Sequence, residues 1–250
     1  MRSQRSRLDR FIVSREGIKR RHVHQLLAQG RILLDGSRAQ SISQVVGPFT
    51  HVVLDRRVLQ AEQARYIMLH KPPGMVSATC DEEHRTVLDL VSAPYTEALH
   101  IVGRLDFNST GLLLLTNDGR WSRGVSSPQK GIVKTYRVLL EQPFRSEYAK
   151  AFAAGLYFAF EGIITRPAKI RRVSDFEVEV DLVEGRYHQV KRMFGYFNNR
   201  VLNLHRLSIG TLSLDPELQQ GAWRELSRSE LDTLGVEHSH REPLPSSSPI

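Results

Sequence analysis

Leu8, Phe11 and Ile12 recur at helical spacing, and Val23, Leu26 and Leu27 fall on one face of a second periodic stretch. The pattern predicts two short helices. Gly30 is placed to close the second, residues 31–34 read as a short strand, and Asp35-Gly36 is a tight-turn signal. Farther along the period changes. Residues 66–69 form a buried strand that ends at His70-Lys71-Pro72-Pro73-Gly74, where proline and glycine impose a rigid turn. Strand-like runs at 112–115, 132–140 and 176–183 then alternate with turns, Asn117-Asp118-Gly119 among them. This sequence of elements predicts an α+β protein with a mixed, largely antiparallel sheet. Around residue 190 the period returns to helical: Val190, Met193, Phe194 and Phe197 share one arc, Lys191 lies at its border, and Arg192 faces away. No repeat of 20 to 50 residues is visible, which excludes a solenoid.

These patterns divide the chain. Residues 1–48 form a small α/β module, 49–64 a connector with a candidate strand at 52–54, and 65–235 a larger domain. Residues 236–250 are polar and rich in Pro and Ser, which predicts a disordered tail. Composition adds limits: 40% of the 250 residues are hydrophobic and 25% charged, enough to bury a substantial core. Cys80 is the single cysteine, so an intrachain disulfide and a thiolate metal cage are excluded and a reducing cytoplasm is the expected compartment. No apolar run approaches the roughly 18 to 20 residues that span a bilayer, and the Arg-rich start lacks the apolar segment of a signal peptide.

Charge sharpens the picture. The net charge is +8, and the first 40 residues hold ten Lys or Arg against three acidic residues. An excess concentrated at one end is an electrostatic footprint for nucleic acid, with a membrane-surface or targeting element as the alternative. Arg15, Lys19, Arg20, Arg21 and Arg31 occupy the polar face of the module. With so few acids to balance them, they are the candidate phosphate contacts.

Three stretches could carry chemistry. Gly103-Arg104-Leu105-Asp106-Phe107-Asn108-Ser109-Thr110-Gly111 is a polar loop followed at once by four leucines, which holds Asp106 at the lip of a buried strand. A capping aspartate fits that position too. A calcium loop does not: its twelfth position is Asn117, its seventh and ninth are Leu112 and Leu114, and its flanks read as strands. The second stretch runs from Gly185 through Arg186, Tyr187, His188 and Gln189 into the periodic helix. From Gly185 to Leu214 there is no Asp or Glu, so a carboxylate partner for Lys191 must come from elsewhere. His188 and His205 are candidates for catalysis or for structural hydrogen bonds, and no His/Asp/Glu spacing fits zinc. The third is Lys134-Thr135-Tyr136-Arg137-Val138, where strand alternation places Tyr136 on the face of Val138 and Leu140. An aromatic there serves equally as core or as a surface on which a flipped base stacks.

Taken together, His70-Lys71-Pro72-Pro73-Gly74, the loop from Gly103 through Asp106 to Gly119, Lys134-Thr135-Tyr136, and Glu184 through Phe194 resemble the ribosomal pseudouridine synthases in order and spacing. The resemblance covers residues 6–233. Within it Arg7-Leu8-Asp9, Gly17 and Leu26 to Ile32 resemble an S4 RNA-binding domain, with Lys19-Arg20 standing where Ser-Arg is usual. It implies an enzyme that isomerises uridine in ribosomal RNA without cofactor or metal. Asp106 would be the catalytic aspartate, Tyr136 the tyrosine packed on the target base, and Lys191 the basic partner of Asp106. Leu204 would wall the base, and Arg104 and Arg192 would contact substrate. The helix around Lys191 resembles the small-subunit type most closely. The implied partner is therefore 16S rRNA in an assembly intermediate, bound by a cytoplasmic monomer. A large-subunit (23S) enzyme and a non-catalytic RNA-binding assembly factor are the rival readings. The Lys191–Asp106 pair is expected in a largely desolvated cleft.

Overall fold

The computed structural model describes residues 5–239, which divide into a first unit reaching Ala64 and a second unit, Arg65–His238. In the first unit the two expected helices are Leu8–Glu16 and Arg20–Ala28. Gly17, at φ 66°, closes the first one by donating its backbone N–H to Val13 O. Leu8, Ile12 and Val23 are fully buried with Ile32, Leu34, Val52 and Leu54 in one core. Asp35 and Gly36 both take positive φ, 52° and 80°, and reverse the chain between the strands Ile32–Leu34 and Ser37–Arg38.

Residues 49–64 are not a connector. Val52–Leu54 pairs antiparallel with Ile32–Leu34, and Arg57–Gln60 pairs in turn with Val52–Leu54, giving a four-stranded sheet. Val52 and Leu54 point into the core and Val53 does not, a two-residue alternation too short to stand out as a period in the sequence.

The second unit is built on one nine-stranded sheet. Its main path runs Lys169–Arg172, Glu177–Leu182, Lys134–Leu140, Val201–Ile209, Thr110–Thr116, Tyr66–Lys71, Trp223–Glu225. His100–Val102 and Leu212–Ser213 add at the sides. Every pairing is antiparallel except that of Val201–Ile209 with Thr110–Thr116, where His205 lies beside Thr110 and Arg206 beside Gly111. The sheet is therefore mixed and largely antiparallel, as the alternation of runs and turns predicts.

The apolar run 112–115 lies in the centre, and all seven residues of Thr110–Thr116 are buried. The helix Gln189–Gly195 buries Val190, Met193 and Phe194. Phe194 packs against Tyr148 and Phe152 of the helix Glu147–Ala154, which the sequence pattern did not reveal. Where a simple turn is expected at Asn117-Asp118-Gly119, a helix starts: the Asp118 carboxylate accepts from the backbone N–H groups of Arg120 and Trp121 and caps Gly119–Ser126. The first residues of the expected tail are held by contacts within the second unit. Arg120 donates to Glu237 at 2.6 Å and His238 lies 2.8 Å from Asp232, whereas residues 240–250 are outside the described residues.

Candidate active site

Asp106 sits in the loop between Gly103 and Thr110, and the preceding motif holds that loop from below. Lys71, fully buried at the end of Tyr66–Lys71, donates to Pro72 O, Phe107 O and Ser109 O at 2.9–3.0 Å. Burial pulls the Lys71 amine down to about 8, and the negative charge of Asp106 opposes that pull. Gly74 donates its N–H to Phe107 O, and Ser77 Oγ donates to Leu105 O at 2.8 Å. On the far side, the loop enters the sheet at Gly111, where φ is 105° and a Cβ would stand 2.3 Å from Arg206 O. Only glycine admits that approach, and it brings the Asp106 loop against the strand that carries Leu204 and Arg206.

The carboxylate missing between Gly185 and Leu214 is supplied by this loop. Lys191 Nζ is 2.9 Å from Asp106 Oδ2, and His188 Nε2 is 3.6 Å from Oδ1. His188 reaches that place from an αL backbone, φ 48°, at the start of its helix, with its ring stacked 3.9 Å from Tyr187. The pair is less shielded than expected: the Asp106 side chain is 25% exposed and that of Lys191 34%. The cleft opens to solvent beside them, so the full penalty of a buried ion pair does not apply.

Asp106, Arg104, Tyr136 and Leu204 line one cavity of about 670 Å³, together with Lys134 and Arg206. Tyr136 is buried on the same strand face as Lys134 and Val138, and stands opposite Arg206 in the sheet register. Its ring therefore packs in the core and also lines the cavity. Leu204 stands opposite Val138 on the neighbouring strand. Arg192 is not brought to this cavity. It donates to both carboxylate oxygens of Glu161 at 2.6 and 2.7 Å and lies 3.7 Å from the centre of the Phe158 ring. Lys71, Lys134 and Arg206 carry no role legible in the sequence pattern. The two lysines stand at strand ends, Lys71 closing Tyr66–Lys71 and Lys134 opening Lys134–Leu140.

In the N-terminal unit the balance of charge differs from the expectation. Arg20 Nε is 2.8 Å from Asp9, and Arg31 makes a two-point contact with Asp55. Asp55 lies in the stretch that reads as a connector, so the acid that neutralises Arg31 falls outside the module as the sequence divides it. Arg15 lies 5.9 Å over the Phe11 ring. Lys19 and Arg21, exposed at the start of the second helix, have no carboxylate within ion-pair distance among the described residues. Among the described residues there is also no group of three His, Cys, Asp or Glu that could hold a metal ion, and no helix long and apolar enough to cross a membrane.

The RNA pseudouridylate synthase family matches residues 65–196, and the S4 domain matches residues 6–52. A protein of Pseudomonas aeruginosa named ribosomal small subunit pseudouridine synthase A is 49% identical over 226 residues, 90% of this chain and 98% of that one. The proteins of the same name from Yersinia pestis and Escherichia coli are 40% and 39% identical, covering 93% and 90% of this chain and 99% and 98% of their own. A crystal structure of a pseudouridylate synthase, 37% identical, aligns over 91% of this chain and 99% of that one with a TM-score of 0.67. The site built around Asp106 thus lies in a chain that belongs to the RNA pseudouridylate synthase family and carries an S4 domain ahead of the catalytic fold.

Proposed function

We propose that this enzyme converts one uridine of 16S rRNA to pseudouridine, with Asp106 as the reacting carboxylate. The observation that carries this reading is that Asp106 lines the 670 Å³ cavity, with Lys191 against its carboxylate at 2.9 Å and Tyr136 in the same cavity wall. The small-subunit target is supported by the name shared by relatives that match nine-tenths of the chain. A large-subunit target and a non-catalytic assembly factor have no comparable support.

Isomerisation breaks the N1–C1′ bond, turns the uracil within the site and joins C5 to C1′. Asp106 serves either as nucleophile at C1′ or as base in an elimination at the sugar, and a proton finally leaves C5. Tyr136 and Leu204 hold the detached base in place. The target nucleotide must leave its helix or loop to enter the cavity at a cost of a few kcal/mol, which basic contacts to the RNA backbone offset. In this reading Arg104 contacts the substrate at the cavity, Lys19 and Arg21 anchor RNA on the first unit, and the enzyme works as a cytoplasmic monomer on a small-subunit assembly intermediate.

Asp106→Asn keeps the size of the side chain and removes the carboxylate. The variant is expected to bind small-subunit rRNA with nearly wild-type affinity and to leave no pseudouridine when the RNA is probed chemically. Mapping pseudouridine in rRNA from cells with and without the protein tests the target. A variant that turns over like the wild type, or an unchanged 16S map, overturns the proposal.

A further inference from the structure

Lys134 and Arg206 both line the cavity, and neither has a carboxylate within ion-pair distance among the described residues. Arg206 is 1% exposed and Lys134 6%. Arg206 spends its donors on neutral oxygens: Nε on Leu112 O at 2.7 Å, Nη2 on Gly103 O at 3.0 Å, and Nη1 on the Tyr136 hydroxyl at 3.4 Å. Lys134 Nζ has one long bond, 3.3 Å, to Ile132 O. Burial, and then the charge of Arg206, push the Lys134 amine below its ordinary range. Two buried cations that repel each other are costly to keep unless an anion joins them. Asp106 does not fill that need, because Lys191 and His188 face its carboxylate.

We propose that Lys134 and Arg206 form a cationic floor under Tyr136 that binds the detached uracil as an anion. The inference rests on the pseudouridine synthase reading above and names what its base pocket does. When the N1–C1′ bond breaks, its electron pair stays with the base and spreads over N1, O2 and O4. Meanwhile Asp106 takes up the sugar, by an O–C1′ bond or by removing a proton from C2′. After the base turns, the pair returns as the C5–C1′ bond while the Asp106 O–C1′ bond breaks, or the C2′ proton is handed back, and the proton lost from C5 is balanced by one gained at N1, so no co-reactant is needed. A fixed positive charge on two buried side chains stabilises the anion without reorganising, and so lowers the barrier to cleavage. Tyr136 neighbours both cations in the sheet, since it shares a strand face with Lys134 and stands opposite Arg206, so a base packed on Tyr136 would lie near both.

The test compares RNA carrying uridine or 5-fluorouridine at the target position in single-turnover reactions, read as loss of the starting nucleoside. Fluorine at C5 stabilises the uracil anion, so cleavage of that substrate needs less help from the pocket. Lys134→Met is expected to slow the uridine reaction by about 100-fold or more, the scale of losing one charge-stabilising donor. The factor should be clearly smaller on 5-fluorouridine RNA, and Lys134→Arg should recover much of the rate. RNA affinity and thermal unfolding should stay near those of the wild type, and if Lys134→Met unfolds, the comparison of the two substrates is made with Lys134→Gln. Equal losses on both substrates indicate a structural role and overturn the inference, and a weakened affinity with a flatter salt dependence assigns Lys134 to a phosphate and overturns it as well. A wild-type protein that converts no uridine removes the functional reading itself, a result distinct from either of these.

Discussion

Lys191 Nζ stands 2.9 Å from Asp106 Oδ2, across a cleft that leaves a quarter to a third of each side chain in contact with water. Because the pair is partly solvated, Lys191→Met should cost less stability than the roughly 3 to 5 kcal/mol of breaking a buried pair, and nearer the roughly 1 kcal/mol of an exposed one. Activity should suffer far more than stability, and Lys191→Arg should keep part of it. Denaturation midpoints beside single-turnover rates separate the two effects. An active Lys191→Met would remove the residue from the proposed machinery.

Gly111→Ala should destabilise the second unit by at least about 1 to 3 kcal/mol, since it combines a positive φ with a Cβ 2.3 Å from Arg206 O and 2.6 Å from Arg206 N. The two strands must part to admit the methyl group, and the Asp106 loop moves with them. Gly195→Ala is the control, because its Cβ meets nothing within 4 Å. Urea unfolding of both variants should show a large shift for the first alone.

Arg224 donates to both carboxylate oxygens of Glu230 and to Asp215, tying the helix Arg228–Thr233 to the edge strand Trp223–Glu225. Hydrogen bonds from Arg224 hold the Glu230 carboxyl down at about 2, well below its ordinary 4.5. The unfolded chain binds the proton first as pH falls, so this contribution is present above about 4.5 and is lost between there and about 2. Glu230→Gln should lower the melting temperature at neutral pH and flatten its decline over that acid window. Parallel melting curves for wild type and variant that keep the same slope below pH 4.5 would count against the assignment.

In the N-terminal unit, Arg21→Ala and Lys19→Ala should weaken RNA binding more than Arg31→Ala, whose guanidinium is already engaged by Asp55. Removing a side chain that neutralises one phosphate should flatten the log–log salt dependence by about 0.7 for single strands. The identity of the modified uridine should not change, because backbone contacts position the RNA without reading its sequence. Titrations at several salt concentrations decide this, and a larger effect of Arg31→Ala would reverse the assignment.

Local pattern carried much of this protein. The two N-terminal helices, the buried run 112–115 and the apolar arc of Val190, Met193 and Phe194 are visible because side-chain periodicity is set by backbone geometry and needs no distant partner. The family motifs likewise marked Asp106, Tyr136 and Lys191. What the chain order hid was pairing. The strand Val52–Leu54 became part of a core only by meeting Ile32–Leu34, and Asp55 neutralised Arg31 through the same register. Arg206, ordinary in the sequence, became the residue that ties Gly103, Leu112 and Tyr136 together, because a parallel bridge at Gly111 brings its strand against the Asp106 loop. Partners far apart along the chain leave no periodic trace in it. Tertiary structure alone decided which charges would be buried, which would be paired, and which would be left facing the cavity.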